Sequence, residues 1–186
     1  MSTIKVNNIQ SRTGSAISFT SGDTITIPSG ATLTNNGTAS GFPGLGKIGQ
    51  VVSNNITTRT ETSSSTNVDI TGSETTIVTT ASSSKVLLHI SLCMRKENNT
   101  YISVDLLRKI GGGSYSKIRD FDAGFLWTND ATTQTGRFAT SFLDEPSSAD
   151  TIYYKMQFNS GANIAVAKVN YDNSETSTIT LMEVLA

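Results

Sequence analysis

The sequence predicts an all-β protein in two parts: a short intertwined β-stem of repeat-like strands over residues 1–46 and an antiparallel, jelly-roll-like β-sandwich knob over residues 47–186. Three observations carry this expectation. Apolar and polar residues alternate along most of the chain, the period of an extended strand with one buried face. Clusters of Gly, Asn, Asp and Ser break the alternation every 8–12 residues, the spacing of a sandwich or barrel. No segment carries the i, i+3, i+4 apolar period of a helix.

Residues 1–15 hold one strand-like piece, with Ile4, Val6 and Ile9 facing one way. From Ala16 to Phe42 short strands are separated by turns at Ser21-Gly22-Asp23, Pro28-Ser29-Gly30 and Asn35-Asn36-Gly37. Ile17 pairs with Phe19, Ile25 with Ile27 and Ala31 with Leu33, and Ile17, Ile25 and Leu33 recur at a step of eight residues, a coarse internal repeat. Lys5, Arg12, Asp23 and Lys47 are the only charges among the first fifty residues. In one copy so few apolar side chains do not offset the entropy of ordering the backbone, and the segment would be a disordered linker. Copies wound about a common axis would bury the stripes and pair the open strand edges. Ile17, Phe19, Ile25, Ile27 and Leu33 are therefore expected on an oligomer axis, and Gly41–Gly46 is a flexible break before the knob.

The knob begins with a strand at Ile48–Ser53, followed by a tract in which 18 of the 32 residues from Ser53 to Ser84 are Ser or Thr. Threonine favours strands, and Val68, Ile70, Ile77 and Val78 punctuate the tract, so exposed or edge strands with long turns are expected. The strongest strand is Lys85–Arg95, with Val86, Leu88, Ile90, Leu92 and Met94 toward the core and Leu87, His89, Ser91 and Cys93 on the other face, toward a neighbouring subunit. Asn98-Asn99 turns into Thr100–Ile110 with Ile102, Val104 and Leu106 inward, and Gly111-Gly112-Gly113 closes a hairpin to Ser114–Phe121. Later strands are expected at Gly124–Thr128, Gly136–Leu143, Thr151–Asn159, Asn163–Tyr171 and Thr176–Leu185. Their inward residues are Phe138 and Phe142, then Ile152, Tyr154, Met156 and Phe158, then Ile164 and Val166, then Ile179 and Leu181.

The chemistry is sparse. A chain of 186 residues with net charge −1 and 16% charged residues makes one domain plus an appendage and lacks the basic patch that nucleic acid or an anionic membrane requires. Cys93 is the only cysteine, so no intrachain disulfide exists, and it is expected as a small buried apolar residue. No apolar run reaches the roughly 18 residues of a membrane span, and the N-terminus lacks a basic-then-apolar signal, so synthesis in a cytoplasm without membrane insertion is expected. His89 is the only histidine and is expected as a hydrogen-bonded core or interface residue; neither a His-rich metal site nor a cofactor motif is present.

Asp120 with Asp122, or Asp144 with Glu145, are the carboxylate pairs a glycosidase would draw on, and both lie in turn-like sequence where solvated loop charges are ordinary. No enzymatic activity is expected. Tyr101, Tyr115, Phe125, Trp127, Tyr153 and Tyr171 divide between core packing and exposed stacking surfaces. Trp127, beside the turn Thr128-Asn129-Asp130, with Tyr115 and Tyr101, are the receptor-binding candidates. The sequons at Asn36, Asn55 and Asn98 matter only in a secretory pathway.

The opening STIKVNNIQSRTGSAIS…TIPSGATLTNNGTASGF resembles the N-terminal segments of fibre-like structural proteins of marine tailed phages, cyanophages and pelagiphages among them. GLGKIGQVVSNNITTRTETSSSTNVDITGSETTIVTTASSSKVLLHIS looks like the start of their C-terminal domains, and STITLMEVLA is similar to their ending. The resemblance implies a homotrimeric virion tail fibre or appendage made in the host cytoplasm. Its N-terminal segment, here Ile4, Val6 and Ile9, would attach to other virion proteins, and its knob would take a host-surface glycan or protein. A purely structural capsid, neck or tail decoration or connector is the alternative, and a polysaccharide depolymerase the third. The resemblance brings no catalytic residues, no metal and no cofactor.

Overall fold

The computed structural model describes residues 47–128, 130–161, 166–172 and 174–185, with the backbone alone at residues 122 and 123. The chain divides into two units, Met1–Pro43 and Gly44–Ala186, and all described residues belong to the second. The axial residues Ile17, Phe19, Ile25, Ile27 and Leu33, the attachment residues Ile4, Val6 and Ile9, and Ile164 lie outside the described residues.

Eleven strands are described, and no helix is: β1 Lys47–Ile56, β2 Thr60–Thr62, β3 Val68–Asp69, β4 Thr75–Val78, β5 Lys85–Lys96, β6 Ile102–Ile110, β7 Ser116–Phe125, β8 Gln134–Asp144, β9 Thr151–Ser160, β10 Ala167–Val169 and β11 Ser177–Leu185. They form two antiparallel sheets that pack as a β-sandwich. In the first sheet β5 pairs with β8 along eleven residues, from Val86 opposite Asp144 to Lys96 opposite Gln134. The other side of β5 is shared, with β11 and then β1 at its start and β10 and then β2 at its end. In the second sheet β9 carries β3 and β4 on one side and β6, then β7, on the other.

Period-2 alternation decides which residues meet between the sheets. Val86, Leu88, Ile90, Leu92 and Met94 of β5 with Ile179 and Leu181 of β11 face Ile102, Val104 and Leu106 of β6 and Ile152, Tyr154, Met156 and Phe158 of β9, all fully buried. Phe121 and Phe125 of β7 meet Phe138 and Phe142 of β8 with ring centroids 5.7–6.0 Å apart, tilted or edge-on. Because β7 and β8 belong to different sheets, these rings close the sandwich along one open side.

Four expectations are corrected. The strand expected separately at Gly124–Thr128 is the end of β7, which runs unbroken to Phe125 through three register shifts against β6. It stops because Leu126 takes φ +60°, a left-handed conformation no strand continues through. Of the strand expected at Asn163–Tyr171, residues 163–165 lie outside the described residues and β10 covers Ala167–Val169, with Ala167 and Val169 inward, not Val166. Lys168 shares the outward parity of Val166 and pairs with Glu97 at 2.5 Å, so the charge selects the face. The Ser/Thr tract does supply edge strands, yet Ser73, Thr75, Thr79, Ile70 and Ile77 are buried. Finally, of the core or interface position expected for a hydrogen-bonded His89, the core is ruled out: the residue is exposed on the outer face of the first sheet, where Nδ1 and the Ser141 hydroxyl lie 3.0 Å apart.

Buried polar groups are paired across long sequence separations. Asn170, at φ +50° and fully buried, donates Nδ2 to the Ile56 carbonyl at 2.7 Å and accepts the Ser177 hydroxyl at 2.7 Å. Ser177 in turn accepts the Cys93 amide at 2.8 Å, so these two side chains tie β1, β5 and β11 together. Glu183, buried on β11, accepts the Thr80 amide and hydroxyl at 2.6 and 2.7 Å and Gln50 Nε2 at 3.0 Å.

Candidate functional site

The receptor-binding candidates fall at two opposite ends. Pairing of Ile102 with Phe125 and of Arg108 with Ser116 sets Tyr101 and Trp127 at the open end of the β6–β7 hairpin and Tyr115 at its turn end. The chain enters the sandwich at Lys47, opposite Leu185, and Val184 in turn lies opposite Lys85, the first residue of β5. The loop bearing Trp127 leads into Gln134, opposite Lys96, the last residue of β5. The twelve residues of β5, spanning roughly 36 Å in eleven steps of about 3.3 Å, separate entry from Trp127.

Trp127 is 60% exposed and held in place. Its amide donates to the Gly124 carbonyl at 3.0 Å, closing the turn that Leu126 begins. The next residue, Thr128, accepts through its hydroxyl from the ammonium of fully buried Lys96, which also donates to the Asn98 carbonyl at 2.9 Å. A buried cation needs all its protons placed, so the lysine pins two loops at once. Tyr101 is half-buried, its carbonyl accepting the Gly161 amide at 2.9 Å. A Cβ at position 161 would stand 2.3 Å from the tyrosine ring, so only glycine admits this stacking of ring on backbone. The arrangement offers an exposed indole on a fixed loop, a surface for stacking on a sugar ring or filling a pocket.

Tyr115 belongs to the outer face of the second sheet. Lys109 Nζ lies 3.8 Å from the Tyr153 centroid and 5.0 Å from that of Tyr115, and Lys155 Nζ lies 4.3 Å from Tyr115. Lys155 also pairs with Asp69 at 2.7 Å, Gln157 donates to Asp69 at 2.7 Å, and the Tyr115 hydroxyl donates to Glu74. Burial pushes the Asp69 carboxyl up, but the hydrogen bonds from Lys155 and Gln157 outweigh it and hold the group below its usual value. Burial and the Glu74 carboxylate both raise the Tyr115 phenol. The charges here balance and the ring faces are taken by lysines, which makes this a self-satisfied surface.

Of the carboxylates singled out as pairs, Asp120, Asp144 and Glu145 are described and each is engaged by other side chains, while the side chain of Asp122 lies outside the described residues. Asp144, expected as a solvated turn charge, is buried at the end of β8. Arg108 Nη1 donates to both its oxygens at 2.8 Å, and the Tyr154 hydroxyl donates at 2.7 Å. Glu145 is solvated and pairs with Lys85 at 2.6 Å. Asp120 lies inside β7, not in a turn; Lys117 bridges it at 3.6 Å to buried Asp105 at 3.2 Å. Cys93 is buried as expected, and burial first, then the Glu175 carboxylate, push its thiol up to about 11. Among the described residues no group of three or more acidic, His or Cys side chains is placed to hold a metal ion.

Sequence reasoning passed over Lys96, Lys109 and Lys155. The outward parity of Tyr153, Lys155, Gln157 and Asn159 along β9 was the available signal for the third, and that of Lys109 along β6, opposite to inward Ile102, Val104 and Leu106, for the second. Nothing local marks Lys96, because an inward lysine at a strand end is recognised only by the loops folded over it.

No protein-family model and no curated protein matches the chain. Among solved structures it is similar to infectious bursal disease virus, Gt strain, at 10% identity and TM-score 0.36, covering 74% of this chain and 38% of that one. It is likewise similar to T=1 particles derived from infectious bursal virus, at 11% identity and TM-score 0.37, with 80% and 41% covered. The T13 particle of the same virus follows at 9% identity and TM-score 0.33, with 80% and 40% covered. The chain thus spans about two fifths of the structures it matches. Likeness of this degree leaves fold and function to be argued from the chain's own residues.

Proposed function

We propose that this chain is a non-enzymatic structural protein of a tailed-phage virion, made in the host cytoplasm. In this reading residues 1–46 hold a homotrimer to other virion proteins, and the sandwich meets a host-surface glycan or protein. The observation that carries the receptor reading is the exposed Trp127, on a loop pinned by buried Lys96, at the end of the sandwich farthest from where the chain enters. Three copies of one weak site, multiplied over a particle, would bind by avidity.

Two further observations support the virion reading. The sequence resemblance runs through both ends of the chain. The strand orders β1–β11–β5–β8 and β4–β9–β6–β7 support reading the sandwich as an eight-stranded jelly roll, an architecture common in viral capsid and lectin domains. That last link is one of fold, and fold alone does not assign function. The depolymerase reading finds no support in Asp144, whose oxygens are occupied by Arg108 and Tyr154.

The test is binding of the full-length protein to host cells and to a glycan array, beside Trp127→Ala. The expected result is binding that the variant weakens at least about tenfold, the loss usual for an aromatic anchor. Equal binding by the variant would remove Trp127 from the site. Absence of any cell or glycan binding, with antibody labelling the protein on particles, would replace the receptor reading with the connector. Release of reducing ends from capsular polysaccharide would overturn the non-enzymatic assignment.

A further inference from the structure

The outer face of the first sheet is polar over most of its length. Ser53, Thr180, His89 and Ser141 lie side by side across β1, β11, β5 and β8, with Ser53 bonded to Thr180 and His89 to Ser141. Two residues nearer the chain entry the composition changes. Val51 lies opposite Met182, Met182 opposite Leu87, and Leu87 opposite Leu143. These four apolar side chains make one unbroken row across all four strands, from the β1 edge to the β8 edge. Val51 is 58% and Leu143 46% exposed, and Ile48, 50% exposed and opposite Val184, extends the row toward the entry. Four strands at about 4.8 Å give the row a width of roughly 15 Å.

We infer that this row is where the sandwich meets a second copy of this chain, its apolar side chains covered in the assembled protein. The inference deepens the oligomeric part of the proposed function and rests on it. Three observations choose a second copy over another partner. The row lies at the end where the preceding 46 residues join, so copies held together through that segment bring their entry ends, and these rows, near one another. Of the five large apolar side chains exposed among the described residues, Ile48, Val51 and Leu143 belong to this band.

The third observation is charge. Lys85 and Glu145 beside the row neutralise one another at 2.6 Å, and the chain carries a net charge of only −1, so identical copies meet here without like-charge repulsion. The row alone is smaller than the roughly 800 Å² per partner of a standard stable interface, which fits a contact that reinforces an assembly rather than one that makes it unaided.

The test uses the full-length chain, comparing the wild type with Val51→Glu/Leu143→Glu, both exposed positions on strands whose core faces are untouched. Thr180→Glu, in the polar row, is the control. Mass and association constant are measured by sedimentation and light scattering, with circular dichroism to verify the fold. The expected result is a wild-type oligomer whose association the double variant weakens by at least about a hundredfold, since facing like charges cost several kcal/mol, while the control weakens it less than about tenfold. A double variant that keeps the wild-type constant overturns the surface and leaves the assembly reading intact. A wild type that is monomeric at all concentrations overturns both.

A second measurement holds if the double variant fails to fold. Leu143→Cys on a Cys93→Ser background should join two copies through a short bis-maleimide in high yield, and cross-linking no better than at a Ser141→Cys site would refute the contact.

Discussion

Replacing Asp144 by alanine removes the centre of a three-residue clamp between the sheets. Asp144 stands on β8 of one sheet, while Arg108 on β6 and Tyr154 on β9 reach it from the other. The carboxylate is 8% exposed and the guanidinium 22%, so both charges are largely desolvated and satisfied mainly by each other. Breaking such a pair from one side costs about 3–5 kcal/mol, and the fifth of Arg108 that can regain water favours the lower figure, about 3. The Tyr154 hydroxyl, fully buried, then loses its acceptor, a further cost of about 1–2 kcal/mol.

Asp144→Ala should therefore lose about 4–5 kcal/mol, a large part of the stability of an ordinary domain. Tyr154→Phe deletes only one hydrogen bond to a charged group and should lose about 1.5–3 kcal/mol. The double variant should cost less than the sum of the two, because with the carboxylate gone the hydroxyl has nothing left to bond. Urea unfolding of the full-length protein, followed by near-ultraviolet circular dichroism from the tyrosines, measures all three. A loss under about 1 kcal/mol for Asp144→Ala, or strictly additive losses, would refute the clamp.

Acid should destabilise the sandwich. Asp69, Glu97 and Glu183 are each held below their ordinary values of 3.8, 4.5 and 4.5. For Asp69 and Glu183 burial opposes the lowering and is outweighed by hydrogen bonds; for Glu97 the Lys168 bond leads. A lowered folded value gives stability that is full above the unfolded value and lost as pH falls through the folded one, so the urea midpoint should hold near pH 7 and drop below about pH 4.5. A midpoint that rises on acidification would contradict this. Lys96→Met should free Thr128 and the Asn98 carbonyl, increase the mobility of the only tryptophan and lower its fluorescence anisotropy; unchanged anisotropy would mean the loop is held by other contacts. Cys93, buried and with its thiol pushed up to about 11, should react with maleimide at pH 7.5 only as fast as the protein opens, and complete labelling within seconds would refute its burial.

The faces of the long strands were legible because strand parity is local. In KVLLHISLCMR and TIYYKMQFN every second residue is apolar, and the residues expected inward are those found between the sheets. The hairpin across Gly111–Gly113 was legible for the same reason: the turn and both strands lie within one stretch of chain. Where two parities competed, as in Ala-Val-Ala-Lys-Val at 165–169, the local pattern picked the wrong one, and the partner Glu97, some seventy residues away, decided it. Trp127 was legible as a candidate because a tryptophan beside a turn has few ways to be buried. That it shares an end with Tyr101 and not with Tyr115 follows only from the pairing of β6 with β7.

Composition and period thus define the all-β character of the described sandwich and the inward residues of its long strands, since each depends on the nature and order of neighbouring residues. The three-dimensional fold alone sets Asp144 against Arg108 and Tyr154, bonds Lys96 to Thr128 next to Trp127 and lines up Val51, Met182, Leu87 and Leu143. These groups come from strands distant in sequence, and the register that joins such strands is fixed by packing the whole sandwich, not by any stretch of it.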